Sequence, residues 1–303
     1  MTDPSLPAPA SRATWIDATA KVPPHVFFLI SAIFHYLGPG FAVLLFGEVS
    51  VLGVAWLRIA SAAVVFAVWR RPWRVVRRLS GEQRRTLAGM GVVLAAMNAT
   101  FYLAIDRLPL GTVGAIEFLG PIALAAYGTR SRRNAIALGV AVVGVWLLID
   151  VRLTQEPLGI AFAFANCALF VLYILLGHRM AQGASGQSID MLGAAMLVAL
   201  VAISPVGIVD VVPMLSSPYL VAAGIGVGIC SSVIPYVSDQ LAMARLPRAT
   251  FAFLLATLPA WAVLVGIVLL GQTPEPAEVA GVVLVIVGVL VHREREPPVT
   301  EPA

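Results

Sequence analysis

Ten apolar runs, most of them close to 20 residues long, constrain this chain more than any other feature of its sequence. A helix rises about 1.5 Å per residue, so a run of that length spans the roughly 30 Å hydrocarbon core of a bilayer. The runs therefore predict ten transmembrane helices. The predicted spans cover residues 25–46, 50–69, 86–105, 109–128, 134–151, 158–177, 189–209, 218–239, 248–270 and 276–291.

The composition supports a membrane protein and argues against a soluble one. Hydrophobic residues make up 59% of the chain and charged residues only 12%, whereas soluble chains carry about 25% charged residues. The net charge of +4 does not indicate nucleic-acid binding, because the arginines lie in the short gaps between the apolar runs. Residues 1–24 are predicted to be a disordered tail and residues 292–303 a short polar tail. No connection can hold a soluble domain, so the function must lie among the helices.

The arginine and lysine residues predict which helix ends face the cytoplasm. Seventeen of them lie in the two tails and in the connections that follow spans 2, 4, 6 and 8. The other connections hold only Arg107 and Arg152, and Arg58 lies inside a span. Because cytoplasmic loops retain Lys and Arg, both termini of this multi-pass protein are predicted to be cytoplasmic.

A repeat divides the chain into two halves. Arg107-Leu108-Pro109 recurs as Arg245-Leu246-Pro247, and the same offset of 138 residues relates Thr112 to Thr250 and Pro121 to Pro259. Such a repeat indicates a duplicated architecture. Each half holds five spans, an odd number, so the second half enters the membrane inverted. The predicted fold is an all-α polytopic membrane protein of two inverted five-helix repeats, 25–151 and 158–291, which is typical of secondary transporters.

Polar side chains within the spans identify a candidate site, because each ionisable group there costs about 2.5–3.5 kcal/mol to insert. Arg58, Asn98 and Glu117 lie in spans 2, 3 and 4. By helical rise they reach similar depths, roughly 12 Å below the outer surface. This predicts a shared polar centre. Glu117 aligns with Leu255 in the second half, so the scaffold is duplicated and the chemistry is not.

Two interpretations of Arg58 and Glu117 are open. They can form a buried ion pair that fixes helix register. Alternatively, they line a water-accessible pathway in which Arg58 holds a substrate carboxylate and Glu117 binds an ammonium group or a coupling proton. The further candidate substrate-binding residues are Tyr102, Tyr236, Asp239 and Thr257.

Several of the remaining polar residues have ordinary structural explanations. Asp239 is either a solvated carboxylate at the cytoplasmic end of span 8 or a gate. His35 is predicted to make a local hydrogen bond between helices, and Asn166 to be a structural polar contact of the kind found between membrane helices. Thr257 either faces the pathway or bonds its own helix.

Proline and glycine residues predict breaks within the spans. Gly38-Pro39-Gly40 is predicted to interrupt span 1, and Pro121, Pro235 and Pro259 are predicted to interrupt spans 4, 8 and 9. Each proline removes a helical hydrogen bond and frees a carbonyl, which lipid tolerates only where protein or cavity water bonds it.

Catalytic and metal-binding motifs do not occur in the sequence. A phosphate-binding P-loop, a zinc-protease helix motif and a serine nucleophile elbow are all missing. The two cysteines, Cys167 and Cys230, lack the spacing of a metal site. The chain is therefore predicted not to be an enzyme and to use no cofactor or metal. Its expected partners are the lipid bilayer, a small-molecule substrate and protons.

Several short motifs resemble the EamA family of the drug/metabolite transporter superfamily, in particular its threonine/homoserine exporters of the RhtA type. The resemblance extends over residues 25–291. It implies a ten-helix inner-membrane carrier of two inverted EamA repeats that exports small amino acids or related metabolites, as an antiporter driven by the proton gradient. The motifs are WLRIA around Arg58, MNATFYLAI at 97–105, LPLG at 108–111, EFLGP at 117–121, Pro235-Tyr236 with Asp239, and RLP at 245–247.

The chain departs from this family pattern at three positions. Thr257-Leu258-Pro259 stands where Glu-Pro is usual in span 9, Gln272 replaces a glutamate, and Asp239 replaces another. Two other functions are alternatives to amino-acid export. One is export of toxic organic compounds, and the other is a non-transporting membrane sensor or assembly partner.

Overall fold

The computed structural model describes residues 22–128, 131–152, 156–181, 188–212, 216–243, 245–246, 254 and 257–291. Regular structure within these residues is helical throughout, without a strand. The helices are α1 Pro24–Leu45, α2 Val51–Arg70, α3 Trp73–Val76, α4 Gly81–Ile105, α5 Leu110–Gly128, α6 Arg132–Arg152, α7 Pro157–Ala181, α8 Ser188–Val211, α9 Pro218–Gly228, a π-helical segment Ile229–Val233, α10 Ile234–Met243, α11 Leu258–Leu270 and α12 Pro276–Val291.

Six predicted spans coincide with helices that are long and apolar enough to cross a bilayer, which confirms a multi-pass membrane protein. These are Pro24–Leu45, Val51–Arg70, Gly81–Ile105, Pro157–Gly177, Ile189–Val211 and Pro218–Asp239. Three other spans correspond to shorter apolar helices, Leu110–Leu124, Leu258–Leu270 and Pro276–Val291. The fifth predicted span corresponds to α6. The first part of the predicted ninth span, apart from Leu254 and Thr257, lies outside the described residues.

Local sequence signals set several helix ends. Pro24 begins α1 instead of ending the predicted tail, because the first turn of a helix needs no N–H donor from its proline. Ser80 and Gln83 form a reciprocal capping box at the start of α4. Gly271 ends α11 with a φ of 63°, a left-handed conformation that glycine adopts without strain. The other residues of the two predicted tails, 1–21 and 292–303, lie outside the described residues.

The prolines interrupt the helices less than predicted. Helix α1 runs without a break through Gly38-Pro39-Gly40, and α5 runs through Pro121, so the predicted interruptions of spans 1 and 4 are wrong. A proline inside a helix removes one backbone hydrogen bond, and the hydrogen bonds on either side of it can keep the helix continuous. Pro235 follows the π-helical segment in the first turn of α10, and Pro259 lies in the first turn of α11.

The long helices pack as neighbours across the two halves of the chain. Helix α2 lies along α8, α6 lies along α12, and α4 lies along both α7 and α8. Helix α1 packs on α10 and α11, while α5 packs on α7 and α11. The three helices that carry Arg58, Asn98, Tyr102 and Glu117 therefore each pack on helices of the second half.

Two glycines allow the closest approach of α6 and α12. A Cβ added to Gly144 would lie 2.6 Å from the carbonyl oxygen of Gly281, and one added to Gly281 would lie 2.6 Å from that of Gly144. Small residues of this kind let helix backbones meet in membranes, where packing rather than hydrophobic burial drives association.

Substituting Gly144 with alanine is expected to lower the melting temperature of the detergent-solubilised protein by about 4–8 °C, because overpacking of this contact costs about 2 kcal/mol. Gly139 is the matched control on the same helix, since nothing lies within 4 Å of a Cβ there. Gly139→Ala should leave the melting temperature unchanged or raise it slightly. Equal melting temperatures for the two variants would contradict the close packing of α6 on α12.

Candidate functional site

Arg58 connects three helical elements in the protein interior. Its side chain lies on α2 and is 6% exposed. Its Nε donates to Ser232 Oγ at 3.0 Å, and its Nη2 donates to the carbonyl oxygen of Ser231 at 3.1 Å. The guanidinium carbon also lies 5.5 Å from the ring centroid of Tyr102 on α4, a geometry that attracts cations to aromatic faces. Arg58 thus joins α2 and α4 to the π-helical segment.

The π-helical segment lies tightly against both α1 and α2. A Cβ added to Gly38 would come within 2.6 Å of the Ser231 backbone nitrogen, and one added to Gly228 would lie 2.7 Å from the Arg58 carbonyl oxygen. Single π turns inside α-helices recur at functional sites. Here the π turn supplies a carbonyl and a hydroxyl to one arginine, and Ser231 and Ser232 are site residues that the sequence analysis missed.

Glu117 occupies a second polar position, on α5. Glu117 is 7% exposed, and its Oε1 accepts a hydrogen bond of 3.1 Å from Nδ2 of Asn166, a residue of α7 with no exposed surface. The two helices approach closely here, because a Cβ added to Gly120 would lie 2.7 Å from Val171 and 3.0 Å from Cys167 Sγ. Asn166 is a polar contact between helices, as predicted, but its partner is the candidate carboxylate.

Arg58 and Glu117 do not form an ion pair. Ion pairs such as Arg70–Asp190 at 2.6 Å and Arg107–Asp106 at 3.0 Å lie nearer the helix ends. The interpretation of Arg58 and Glu117 as a register-fixing pair is therefore wrong. Each charge is instead bonded to a neutral partner from the second half of the chain. The two still interact electrostatically through the interior.

Six buried polar atoms in the described part of the chain have no hydrogen-bond partner. They are His35 Nδ1, Tyr36 Oη, Tyr102 Oη, Asn166 Oδ1, Ser231 Oγ and Asp239 Oδ1. A buried polar group without a partner costs about 1–3 kcal/mol, and native proteins pair the great majority of them. Most of these six belong to residues that contact or lie near Arg58 or Glu117, as expected for a site that receives a polar ligand or water.

Two other predicted site residues, Asn98 on α4 and Thr257 at the N-cap of α11, bond backbone carbonyls three or four residues before them. Asn98 Nδ2 donates to the Leu94 carbonyl at 2.8 Å. Thr257 Oγ1 donates to the Leu254 carbonyl at 2.7 Å, the back-bonded alternative of the two that the sequence left open. Neither side chain contacts Arg58 or Glu117 through these bonds.

The two predicted residues of α10 lie beside the site and are half-buried. Tyr236 interacts electrostatically with Arg58, Glu117 and Asp239, and Asp239 faces Ser31 on α1. On the neighbouring α1, the His35 and Tyr36 rings meet edge to face at 5.2 Å between centroids. The described residues bring no group of three or more histidine, cysteine or acidic side chains together as a metal site.

A cavity of about 320 Å³ opens at the end of the bundle where α5 and α12 begin and α11 ends. It is lined by Thr112, Gln272 and Glu278, among others. Gln272 Oε1 closes part of its wall by accepting the Leu110 N–H at 3.2 Å. Thr112 precedes Glu117 by five residues on α5, a helical rise of roughly 7–8 Å, and Glu117 is not among the residues that line this cavity.

Known proteins share both the sequence and the fold of this chain. The family model described as the EamA-like transporter family matches residues 157–292. The threonine/homoserine exporter RhtA of Salmonella typhimurium strain LT2 is 31% identical over 293 residues, which cover 94% of this chain and 98% of the exporter. The chain belongs to the EamA-like transporter family. The predicted resemblance to RhtA-type exporters is confirmed.

Two further comparisons concern the sequence and the fold. The threonine/homoserine exporter RhtA of Escherichia coli strain K12 is 33% identical over 258 residues, covering 84% of this chain and 86% of the exporter. A solved crystal structure aligns with a TM-score of 0.52 at 21% identity, over 88% of this chain and 97% of the solved one. That structural likeness concerns the fold alone. The family match and the two exporters together identify a membrane transporter.

Proposed function

We propose that this protein is a secondary-active transporter of the inner membrane that exports small amino acids of the threonine/homoserine kind. One observation carries the proposal. A buried cation, Arg58, and a buried anion, Glu117, are held apart by separate neutral partners. An amino acid carries one carboxylate and one ammonium group, which match these two charges. The threonine/homoserine exporters among the relatives support the same substrate class.

The helix contacts support a carrier of two inverted five-helix repeats, 25–151 and 158–291. When each span of the first half is exchanged for its equivalent in the second, the α2–α8, α5–α11 and α6–α12 contacts map onto themselves. The α1–α10 contact maps onto α4–α7. Arg58 and Glu117 belong to the first half, and their hydrogen-bond partners belong to the second. Movement of one half against the other would open the site to each side in turn, which is alternating access.

Proton coupling is proposed at Glu117. A single carboxylate cannot bind an ammonium group and carry a proton at the same time, so the two would displace one another. This competition makes the protein an antiporter that exchanges inward-moving protons for outward-moving amino acid. Intramembrane carboxyl groups of transporters commonly serve such proton relays.

Expression of the protein in a strain without its own amino-acid exporters tests the proposed function. Cells fed a homoserine-containing dipeptide are expected to release several times more homoserine than cells with an empty vector, measured by chromatography of the medium. Release at the empty-vector level would contradict the proposal. If the cells instead tolerated aromatic toxic compounds, export of toxic organic compounds would replace it.

The proposed orientation can be tested with single introduced cysteines. Gly81 and Thr273 are both exposed, at opposite ends of the bundle by the arginine distribution. In intact spheroplasts, a membrane-impermeant maleimide is expected to label Thr273→Cys within minutes and to leave Gly81→Cys unlabelled until the membrane is lysed. The wild-type chain, with Cys167 and Cys230 inside apolar helices, is the background control. The reverse labelling pattern would contradict cytoplasmic termini.

A further inference from the structure

Three groups that can accept hydrogen bonds lie on α5 or on the helices packed against it near Glu117. The first is the Glu117 carboxylate, whose Oε1 accepts from Asn166 Nδ2. The second is Asn166 Oδ1, which is left without a partner because the amide nitrogen faces the carboxylate. The third is Tyr36 Oη, also buried without a partner and close enough to Glu117 to interact with it electrostatically.

Two glycines on α5 create this arrangement. Gly114 and Gly120 lie three residues before and after Glu117, and so on the same face of the helix. A Cβ added to Gly114 would lie 3.0 Å from Tyr36 Oη, and one added to Gly120 would lie 3.1 Å from the Cys167 carbonyl oxygen. The glycines therefore let α1 bring Tyr36, and α7 bring Asn166, against the turn that carries Glu117.

Beside these three groups, the donors that the structure describes are Asn166 Nδ2, which already bonds Glu117, and the O–H of Tyr36 itself. Arg58, the cation of the neighbouring cluster, directs Nε and Nη2 to Ser232 and Ser231. A proton on Glu117 would supply one donor, which can satisfy one further acceptor at most. A primary ammonium group carries three N–H donors and a positive charge. It matches the number of acceptors and the charge of the carboxylate together.

We propose that Asn166 and Tyr36 are specificity-determining residues that complete, with Glu117, a subsite for the substrate's ammonium group. Asn166 has two roles there. Its Nδ2 holds the carboxylate in place, and its Oδ1 accepts one ammonium hydrogen. Tyr36 Oη accepts another. This inference rests on the proposed function. It adds that Glu117 binds the substrate's ammonium group and does not only carry a proton.

The test compares ligands that differ only in the amino group. Homoserine and 4-hydroxybutyrate share their carbon chain, carboxylate and hydroxyl, and only homoserine carries the ammonium. Binding of each to the purified full-length protein in detergent is measured by isothermal titration calorimetry, with threonine and 3-hydroxybutyrate as a second pair. The wild-type protein is expected to prefer the amino acid of each pair by about 100-fold or more.

Two variants remove the proposed acceptors while keeping the overall shape of the side chain. Tyr36→Phe and Asn166→Leu are each expected to weaken homoserine binding about 10-fold or more and to leave 4-hydroxybutyrate binding unchanged, so the preference falls. Tyr219→Phe is the matched control, because that tyrosine is 75% exposed. It should keep the wild-type preference.

The possible outcomes separate the two proposals. If both ligands lose affinity equally in Tyr36→Phe and Asn166→Leu, these residues have only a structural role and the ammonium subsite is wrong, while the exporter proposal stands. The same holds if the wild-type protein binds homoserine and 4-hydroxybutyrate equally well. If the wild-type protein binds neither amino acid, the proposed function fails and the subsite fails with it.

Discussion

Replacing Glu117 with glutamine is expected to reduce homoserine transport by about two orders of magnitude. The substitution keeps the size of the side chain and removes its charge, so a substrate ammonium loses its counter-ion in a buried site, a loss of about 2–5 kcal/mol. Glutamine can still accept a hydrogen bond from Asn166 Nδ2, which holds the wild-type contact of 3.1 Å. The fold should therefore persist. Initial rates of labelled homoserine efflux from preloaded cells measure the effect.

Glu82→Gln is the matched control for this substitution. Glu82 is an exposed glutamate in the first turn of α4, and its variant should transport at the wild-type rate. Membrane content of each variant is checked by immunoblotting, and folding by a monodisperse gel-filtration peak. A well-folded Glu117→Gln protein that exported homoserine at the wild-type rate would remove Glu117 from the transport mechanism.

Replacing Arg58 with lysine is expected to abolish most transport and to lower stability as well. The guanidinium donates through two nitrogens to Ser232 and Ser231 and lies over Tyr102. Lysine places one compact ammonium there and cannot reproduce the planar fork. We expect a loss of about 2 kcal/mol of stability, seen as a melting temperature about 4–8 °C lower, and a fall of about 100-fold in the transport rate.

The control for Arg58→Lys separates the loss of the fork from any general effect of the substitution. Arg85 is an exposed residue of α4, and Arg85→Lys should match the wild-type protein in melting temperature and transport rate. If Arg58→Lys behaved like Arg85→Lys in both measurements, the guanidinium would have no particular role. If it melted earlier but transported at the wild-type rate, Arg58 would be structural only.

The sequence predicts the spans well because the membrane imposes length and polarity on them. The boundaries of α1, α2, α5 and α12 fall within one residue of the predicted spans. Arg58 and Glu117 were also identifiable, because a charged residue in a twenty-residue apolar run is costly enough to require an explanation. What identifies them is local composition, which any single sequence carries.

The partners of these charged residues were not predictable in the same way. Ser231 and Ser232 contact Arg58 from a π turn that no sequence pattern predicts. Both are small polar residues of a kind common in membrane helices. The contact of Asn166 with Glu117 joins residues 49 positions apart on different helices. Such contacts depend on the rotation of each helix about its axis and on the angles at which helices cross. Packing between the halves sets these angles and rotations, and the sequence alone does not predict them.

The prolines also show the limit of prediction from sequence. A proline in a helix removes one hydrogen bond in every case, but whether the helix then ends depends on its neighbours. Pro39 lies inside a continuous α1, and the flanking Gly38 and Gly40 let the π-helical segment and α11 pack closely against that turn. The sequence identified a special position there, and the structure assigns it to close helix packing rather than to a break.

Counterflow in proteoliposomes tests the central claim most directly, namely that a zwitterionic substrate is carried between Arg58 and Glu117. Vesicles loaded with unlabelled homoserine and diluted into labelled homoserine are expected to accumulate label transiently above equilibrium with the wild-type protein. Vesicles with Arg58→Lys or Glu117→Gln should accumulate almost none. Absence of counterflow with the wild-type protein, or equal counterflow with all three, would contradict the account.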